Sequence, residues 1–83
     1  DDGINGGKTN NLDIRDVEIT ASKGAGIYIN TINNNLYIKD LNVTDSKYEN
    51  IYIKTVGKLY LYNSILENGT YGLYLKNSYN GGE

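Results

Sequence analysis

With histidine and cysteine absent, the carboxylates of this 83-residue chain are the first candidates to move a proton or hold a cation. Nucleophile-and-imidazole chemistry and thiolate metal sites are thereby excluded. Asp13, Asp16 and Glu18 crowd one stretch around Arg15, the single arginine of the chain. Asp13 and Asp40 are the carboxylates that a hydrolase could use as an acid pair, but such groups need a groove wall to desolvate them and set their pKa values apart. The pattern supplies no such wall, so no catalytic residue is assigned and a non-enzymatic role is expected. The opening DDGINGG has the outline of a calcium loop, yet Gly3 stands where a second acidic ligand is required and Leu12 where the bidentate glutamate belongs. No metal and no cofactor is expected.

The remaining side chains with recognition chemistry recur at regular intervals. Among nine tyrosines, Tyr28, Tyr52 and Tyr74 recur at steps of 24 and 22 residues and Tyr37 and Tyr60 at 23. A column of exposed phenols offers apolar ring faces and hydrogen-bonding tips to a glycan or to a neighbouring chain. The plainer reading is that tyrosine suits strands and stabilises neighbours on the same face. Asp16, Asp40 and Asn63 repeat likewise and mark a turn. Two carboxylates one repeat apart repel, so Arg15 and Lys39 screen them or a cation bridges them. Asn42 and Asn68 each head an N-x-T sequon, the first facing outward from a strand and the second in a turn.

What must position these residues is a repeat. LDIRDVEITASKGAGIYI, LYIKDLNVTDSKYENIYI and LYLYNSILENGTYGLYL superpose, with Leu12, Leu36 and Leu59 at steps of 24 and 23 residues. Ile27, Ile51 and Leu73 repeat at 24 and 22, and Ile4 precedes Ile27 by 23 and also follows a glycine. Within each repeat the apolar residues alternate, which is strand periodicity. Three short strands per repeat are expected, with breaks at Asp16, Asp40 and Asn63, around Ser22-Lys23-Gly24, and near Asn33 and Gly57. Inward positions of successive repeats match one another and do not mirror, so each strand must pair in parallel with its copy one repeat away. Stacked at about 4.8 Å per coil, Leu12, Leu36 and Leu59 form one interior column. Ile14, Ile38 and Leu61 form a second, while Ile19, Val43 and Leu66 form another; Val17 and Leu41 are interrupted by Ser64. The third sheet stacks Ile4, Ile27, Ile51 and Leu73 beside Ile29, Ile53 and Leu75. Lys39 beside Tyr62 is expected to make a cation and ring contact.

The pattern L-x-I-x-[DN]-x-x-[IVL] followed by G-I-x-I resembles the right-handed parallel β-helix repeats of the pectin-lyase-like superfamily and of bacterial adhesin and autotransporter passengers. The resemblance implies an all-β, single-stranded parallel β-helix of about three coils starting near residues 12, 36 and 59. Residues 1–11 then belong to a partial preceding coil and 76–83 to a tail, all in one domain. It also implies an extracellular or cell-surface setting. Polysaccharide lyases of that superfamily use clustered acidic calcium ligands and a basic residue in a groove along many more coils, which this chain does not offer.

The formal charge of −2 with scattered basic residues gives no reason to expect nucleic acid. No apolar run approaches the roughly 20 residues that span a bilayer, so no membrane partner is expected. Beginning at Asp1, the chain is expected to be processed or excised from something longer. Its ends expose Ile4 on one side and Leu73 and Leu75 on the other. The expected role is a structural segment of an extracellular fibre or elongated surface protein, its partners being further copies stacked head to tail or adjoining coils of a longer chain. The alternatives are a glycan-binding adhesin segment and a fragment of a polysaccharide lyase or hydrolase.

Overall fold

A computed structural model describes residues 2–78. Its regular structure is entirely β, in five elements: β1 (Ile4–Thr20), β2 (Ile27–Thr44), β3 (Ile51–Tyr62), β4 (Ile65–Glu67) and β5 (Leu73–Ser78). β1 pairs with β2, β2 with β3 and β4, and β3 with β5, all in parallel. The partners are the expected copies one repeat away: Leu12 lies opposite Leu36 and Leu36 opposite Leu59, while Ile4, Ile27, Ile51 and Leu73 form one continuous column. The chain is a parallel β-solenoid of about three turns.

The strands are longer than the alternation suggests. Asp16 and Asp40 do not end a strand, because each turns the chain as a single left-handed residue with φ of 55°. The ladder resumes one residue later, from Arg15 opposite Lys39 to Val17 opposite Leu41. At Asn63, with φ of 46°, the ladder does lapse between β3 and β4. Ser64 stands there where Val17 and Leu41 supply aliphatic side chains, and its hydroxyl accepts the Leu41 N–H at 3.3 Å and donates to the Tyr62 carbonyl at 2.8 Å. A polar residue in an apolar column thus replaces the missing backbone partner.

Three faces result: the first from residues 12–15, 36–39 and 59–62, the second from 17–20, 41–44 and 65–67, the third from 4–9, 27–32, 51–56 and 73–78. Ile27, Ile29, Leu36, Ile38, Val43, Ile51 and Ile53 are fully buried between them. Burial of each such side chain stabilises by about 1.5 to 3 kcal/mol. Ile32 and Val56 add a core column that alternation does not reveal, since it falls at a corner. The uneven repeat length has a local cause there. The second coil carries one residue more than its neighbours at Asn33-Asn34, where the register shifts against both. Gly57 takes up the excess: a Cβ on it would lie 2.5 Å from the carbonyl oxygens of both Asn33 and Asn34.

Among the described residues the third face has four rungs where the other two have three. Lys76 continues β5, Asn77 pairs opposite Thr55 and Ser78 opposite Val56, so the segment after Leu75 begins as strand. The rest of the expected tail, residues 79–83, lies outside the described residues.

Candidate functional site

The outward side chains of the third face make the most regular surface feature. Tyr28, Tyr52 and Tyr74 stand in register on β2, β3 and β5, with Asn5 completing the column on β1. The Tyr28 and Tyr52 ring centroids are 5.2 Å apart with planes 4° from parallel, and those of Tyr52 and Tyr74 are 5.1 Å apart at 6°. Stacking of this kind turns the ring faces on one another and leaves edges and hydroxyl tips to solvent. Half-buried between its neighbours, the Tyr52 phenol is pushed above its ordinary range by desolvation first, then by Tyr28, Tyr74 and Glu49. Tyr71 leans on the last ring at 5.4 Å and 55°.

The first face repeats the device on a smaller scale. Tyr37 and Tyr60 stack at 4.8 Å and 12°, below Asp13 in the same column. Lys39 does lie opposite Tyr62, and the two line a shallow depression of about 520 Å³ with Leu61 and Asn63. The ammonium that sits over a ring on this face is nevertheless that of Lys58, 5.2 Å from the centre of Tyr60. Its position at the start of the first-face strand brings it two residues from Tyr60 on the same side of the pleat.

The acidic stretch is organised as a pair. Arg15 donates from Nε and Nη2 to the two carboxylate oxygens of Asp13 at 2.9 and 2.6 Å. These hydrogen bonds hold Asp13 below the usual carboxylate range and raise Arg15 above its own, with Asp16 and Asp40 adding a weaker electrostatic pull on the guanidinium. Arg15 therefore reaches Asp13 directly and Asp16 and Asp40 only through space. Both members of the pair are well exposed, without the desolvation that acid-base chemistry needs. Among the described residues no group of three or more acidic side chains gathers as metal ligands do.

Asp16, Asp40 and Asn63 form the expected corner ladder. A second ladder, of Ala21, Asp45 and Asn68 with φ near 58°, follows the second face, next to the break expected around Ser22-Lys23-Gly24; Ala21 is the unusual occupant of that conformation. Asn68 thus lies in a turn, and Asn42 stands between the buried Leu41 and Val43 on the outer side of the second face. Beside the second ladder lies a buried polar residue that the pattern also hid. Asn50 occupies the place held by Gly3, Gly26 and Gly72 in the other rungs, is wholly buried, and donates from Nδ2 to the Glu67 carbonyl at 3.1 Å. The replacement of glycine in the G-I-x-I motif was the available signal.

The two ends are the last candidate site. Ile4, Leu12, Val17 and Ile19 pack on the core from one side and Leu61, Leu66, Leu73 and Leu75 from the other, all partly exposed. Among the described residues β1 pairs only with β2, β4 only with β2, and β5 only with β3.

With this geometry in view, the chain matches no protein-family model, no curated protein and no solved structure. Its class is that of parallel β-solenoids, defined by register and repeat.

Proposed function

We propose that this chain is a structural segment of an elongated β-solenoid, in an extracellular fibre or cell-surface protein, continuing through its coil ends into further coils. The observation that carries this reading is the pair of open apolar ends, Ile4, Leu12, Val17 and Ile19 against Leu61, Leu66, Leu73 and Leu75. Among the described residues each end also presents a strand edge with no ladder partner beyond it, and solenoids need such edges covered. The two ends differ in sequence, so their contact is heterologous and propagates along one axis. The partner is a second copy or the adjoining coil of a longer chain. The extracellular setting and the kinship with pectin-lyase-like or adhesin repeats rest on the repeat pattern.

The glycan-binding alternative draws less from the geometry, because a sugar ring seeks exposed aromatic faces and the ladder spends its faces on itself. A polysaccharide lyase or hydrolase draws less still, from a single exposed carboxylate and arginine pair. Sedimentation velocity over a wide concentration range, with negative-stain images of the same samples, tests the proposal. Rods that lengthen with concentration support it, and a monomer at every concentration refutes end-to-end association.

A further inference from the structure

Charge is sorted by face on this solenoid. The third-face strands, residues 4–9, 27–32, 51–56 and 73–78, carry Lys8, Lys54 and Lys76 and no carboxylate. The second face and the left-handed corners on either side of it, residues 16–21, 40–45 and 63–68, carry Asp16, Glu18, Asp40, Asp45 and Glu67 and no lysine or arginine. All of these charged side chains are exposed. Among the described residues none of them takes part in an ion pair.

The repeat turns the charges into ladders. Lys54 and Lys76 stand one rung apart, since Ile53 lies opposite Leu75 and Thr55 opposite Asn77. Asp16 and Asp40 stand one rung apart in the same way, between Arg15 opposite Lys39 and Val17 opposite Leu41. At about 4.8 Å each like-charged pair repels itself. Arg15 does not relieve the acidic one, because its guanidinium is spent on Asp13 and reaches Asp16 and Asp40 only through space.

We propose that these solenoids associate side by side, the Lys54 and Lys76 ladder of one copy seated on the Asp16 and Asp40 ladder of a second copy. Both ladders take their spacing from the same strand separation, so the two ion pairs form together without distortion. Each lysine also has a phenol beside it on the outer face, Tyr52 with Lys54 and Tyr74 with Lys76. The ring stacking leaves those hydroxyl tips outward, so each rung offers an ammonium and an O–H donor to the two oxygens of a carboxylate. Arg15 and Lys39 lie on the first-face side of the acidic corner, which directs the approach to the second-face side, where Glu18 adds its charge. A third face cannot pair with another third face, because both are basic. The contact is therefore heterologous and extends sideways from copy to copy.

Size sets its strength. Three rungs by six residues cover about 14 by 20 Å, or about 600 Å² counting both partners, roughly half of what a stable interface buries. Two three-turn units therefore pair transiently, and the contact gains by repetition along a longer rod. The inference stands apart from the end-to-end reading and adds a lateral contact to it.

Zero-length carbodiimide coupling of the full chain, in an equal mixture of isotope-labelled and unlabelled protein, tests the contact. At low salt, mixed-label peptides should join Lys54 or Lys76 to Asp16, Glu18 or Asp40. Their yield should fall about fivefold or more in Asp16→Asn with Asp40→Asn and in Lys54→Gln with Lys76→Gln, and likewise in about 1 M salt, where the Debye length is near 3 Å. Asparagine already occupies this corner at Asn63, so the first variant keeps the fold, which its circular dichroism melt checks. No mixed-label product, or products that join other residues and ignore both variants, overturns the proposal. Vesicles containing phosphatidylserine are the second arm: binding that is lost with Lys54→Gln and Lys76→Gln, without these crosslinks, reassigns the face to a lipid surface and overturns it too. Rod length in sedimentation reports the end-to-end reading separately. Crosslinks at these positions in protein that never forms rods would refute that reading and leave the lateral contact standing.

Discussion

Tyr28 and Tyr52 lie on successive coils with parallel rings 5.2 Å apart, and this separation is set by the backbone. Parallel strands hold their residues about 4.8 Å apart, so side chains of one type in register stack whatever else they do. The ladder is therefore a product of the solenoid first, and any recognition role must work through its edges and hydroxyls.

The central ring makes the molecule sensitive to base. A tyrosine whose folded pKa lies above the unfolded value of about 10 favours the folded state while neutral. That contribution is complete below pH 10 and is lost as pH rises through the raised value of Tyr52. The melting temperature of the wild type should fall above about pH 10, and Tyr52→Phe should flatten that decline. Thermal melts from pH 8 to 11.5 on both proteins, together with the tyrosinate absorbance, are the measurement; identical profiles would show that the neutral stack contributes nothing.

Position within the ladder should also be measurable. Tyr52 has a ring on each side and Tyr28 has one. With about 0.5 to 1.5 kcal/mol per aromatic pair beyond area burial, Tyr52→Ser should cost roughly one pair more than Tyr28→Ser. Urea titrations of the two single variants and the double variant give the coupling directly. Equal costs and no coupling would reduce the stack to a coincidence of register.

Gly26 should be intolerant of any side chain. An added Cβ would lie 2.6 Å from the Asn50 carbonyl oxygen and would collide with Val43, and that carbonyl is already fixed by the Ile27 N–H at 2.8 Å. Gly26→Ala should cost about 1 to 3 kcal/mol through overpacking. Gly7→Ala, where nothing lies within 4 Å, should be neutral or slightly stabilising. Chemical denaturation of both variants makes the comparison.

The fold was legible because its core is written in period-2 columns: Leu12, Leu36 and Leu59 needed only a common spacing to be placed together. The corners were legible only in part. Asp16, Asp40 and Asn63 are residue types that tolerate left-handed backbone, as are Asp45 and Asn68 of the second ladder, whereas Ala21 is not, so residue type marked that ladder at two of its three rungs. The site was harder, since ring faces, the Arg15 choice of Asp13, and Lys58 over Tyr60 depend on side-chain rotamers that no spacing encodes. Asn50 shows the same limit from inside the core, where its buried amide donates to the Glu67 carbonyl.

Ala21 supplies a stabilising prediction from that second ladder. With φ of 58° it holds a conformation that costs an L-residue about 1 to 2 kcal/mol relative to glycine, less the entropy glycine adds to the unfolded chain. Ala21→Gly should raise stability by a few tenths to about 1 kcal/mol, and Ala21→Val should lower it. An unchanged or reduced urea midpoint for Ala21→Gly would deny that this corner stores strain.

The inward assignment of the third face has the sharpest test. Ile51 is wholly buried between Ile27 and Leu73, at the middle of a four-rung column, while Tyr52 next to it faces outward. A carboxylate at position 51 would sit among aliphatic side chains with no cationic partner, a cost of several kcal/mol even after its pKa rises. A three-coil solenoid has only about 5 to 15 kcal/mol of net stability to lose at most. Ile51→Asp should accordingly abolish the cooperative β-type melt in circular dichroism at neutral pH, with partial recovery near pH 4 as the carboxyl is neutralised. Lys54→Asp, three residues along the same strand on its exposed side, should leave the melt within about 0.5 kcal/mol of the wild type. A cooperative melt retained by Ile51→Asp at pH 7 would place residue 51 outside the core and undo the register from which the tyrosine ladder is argued.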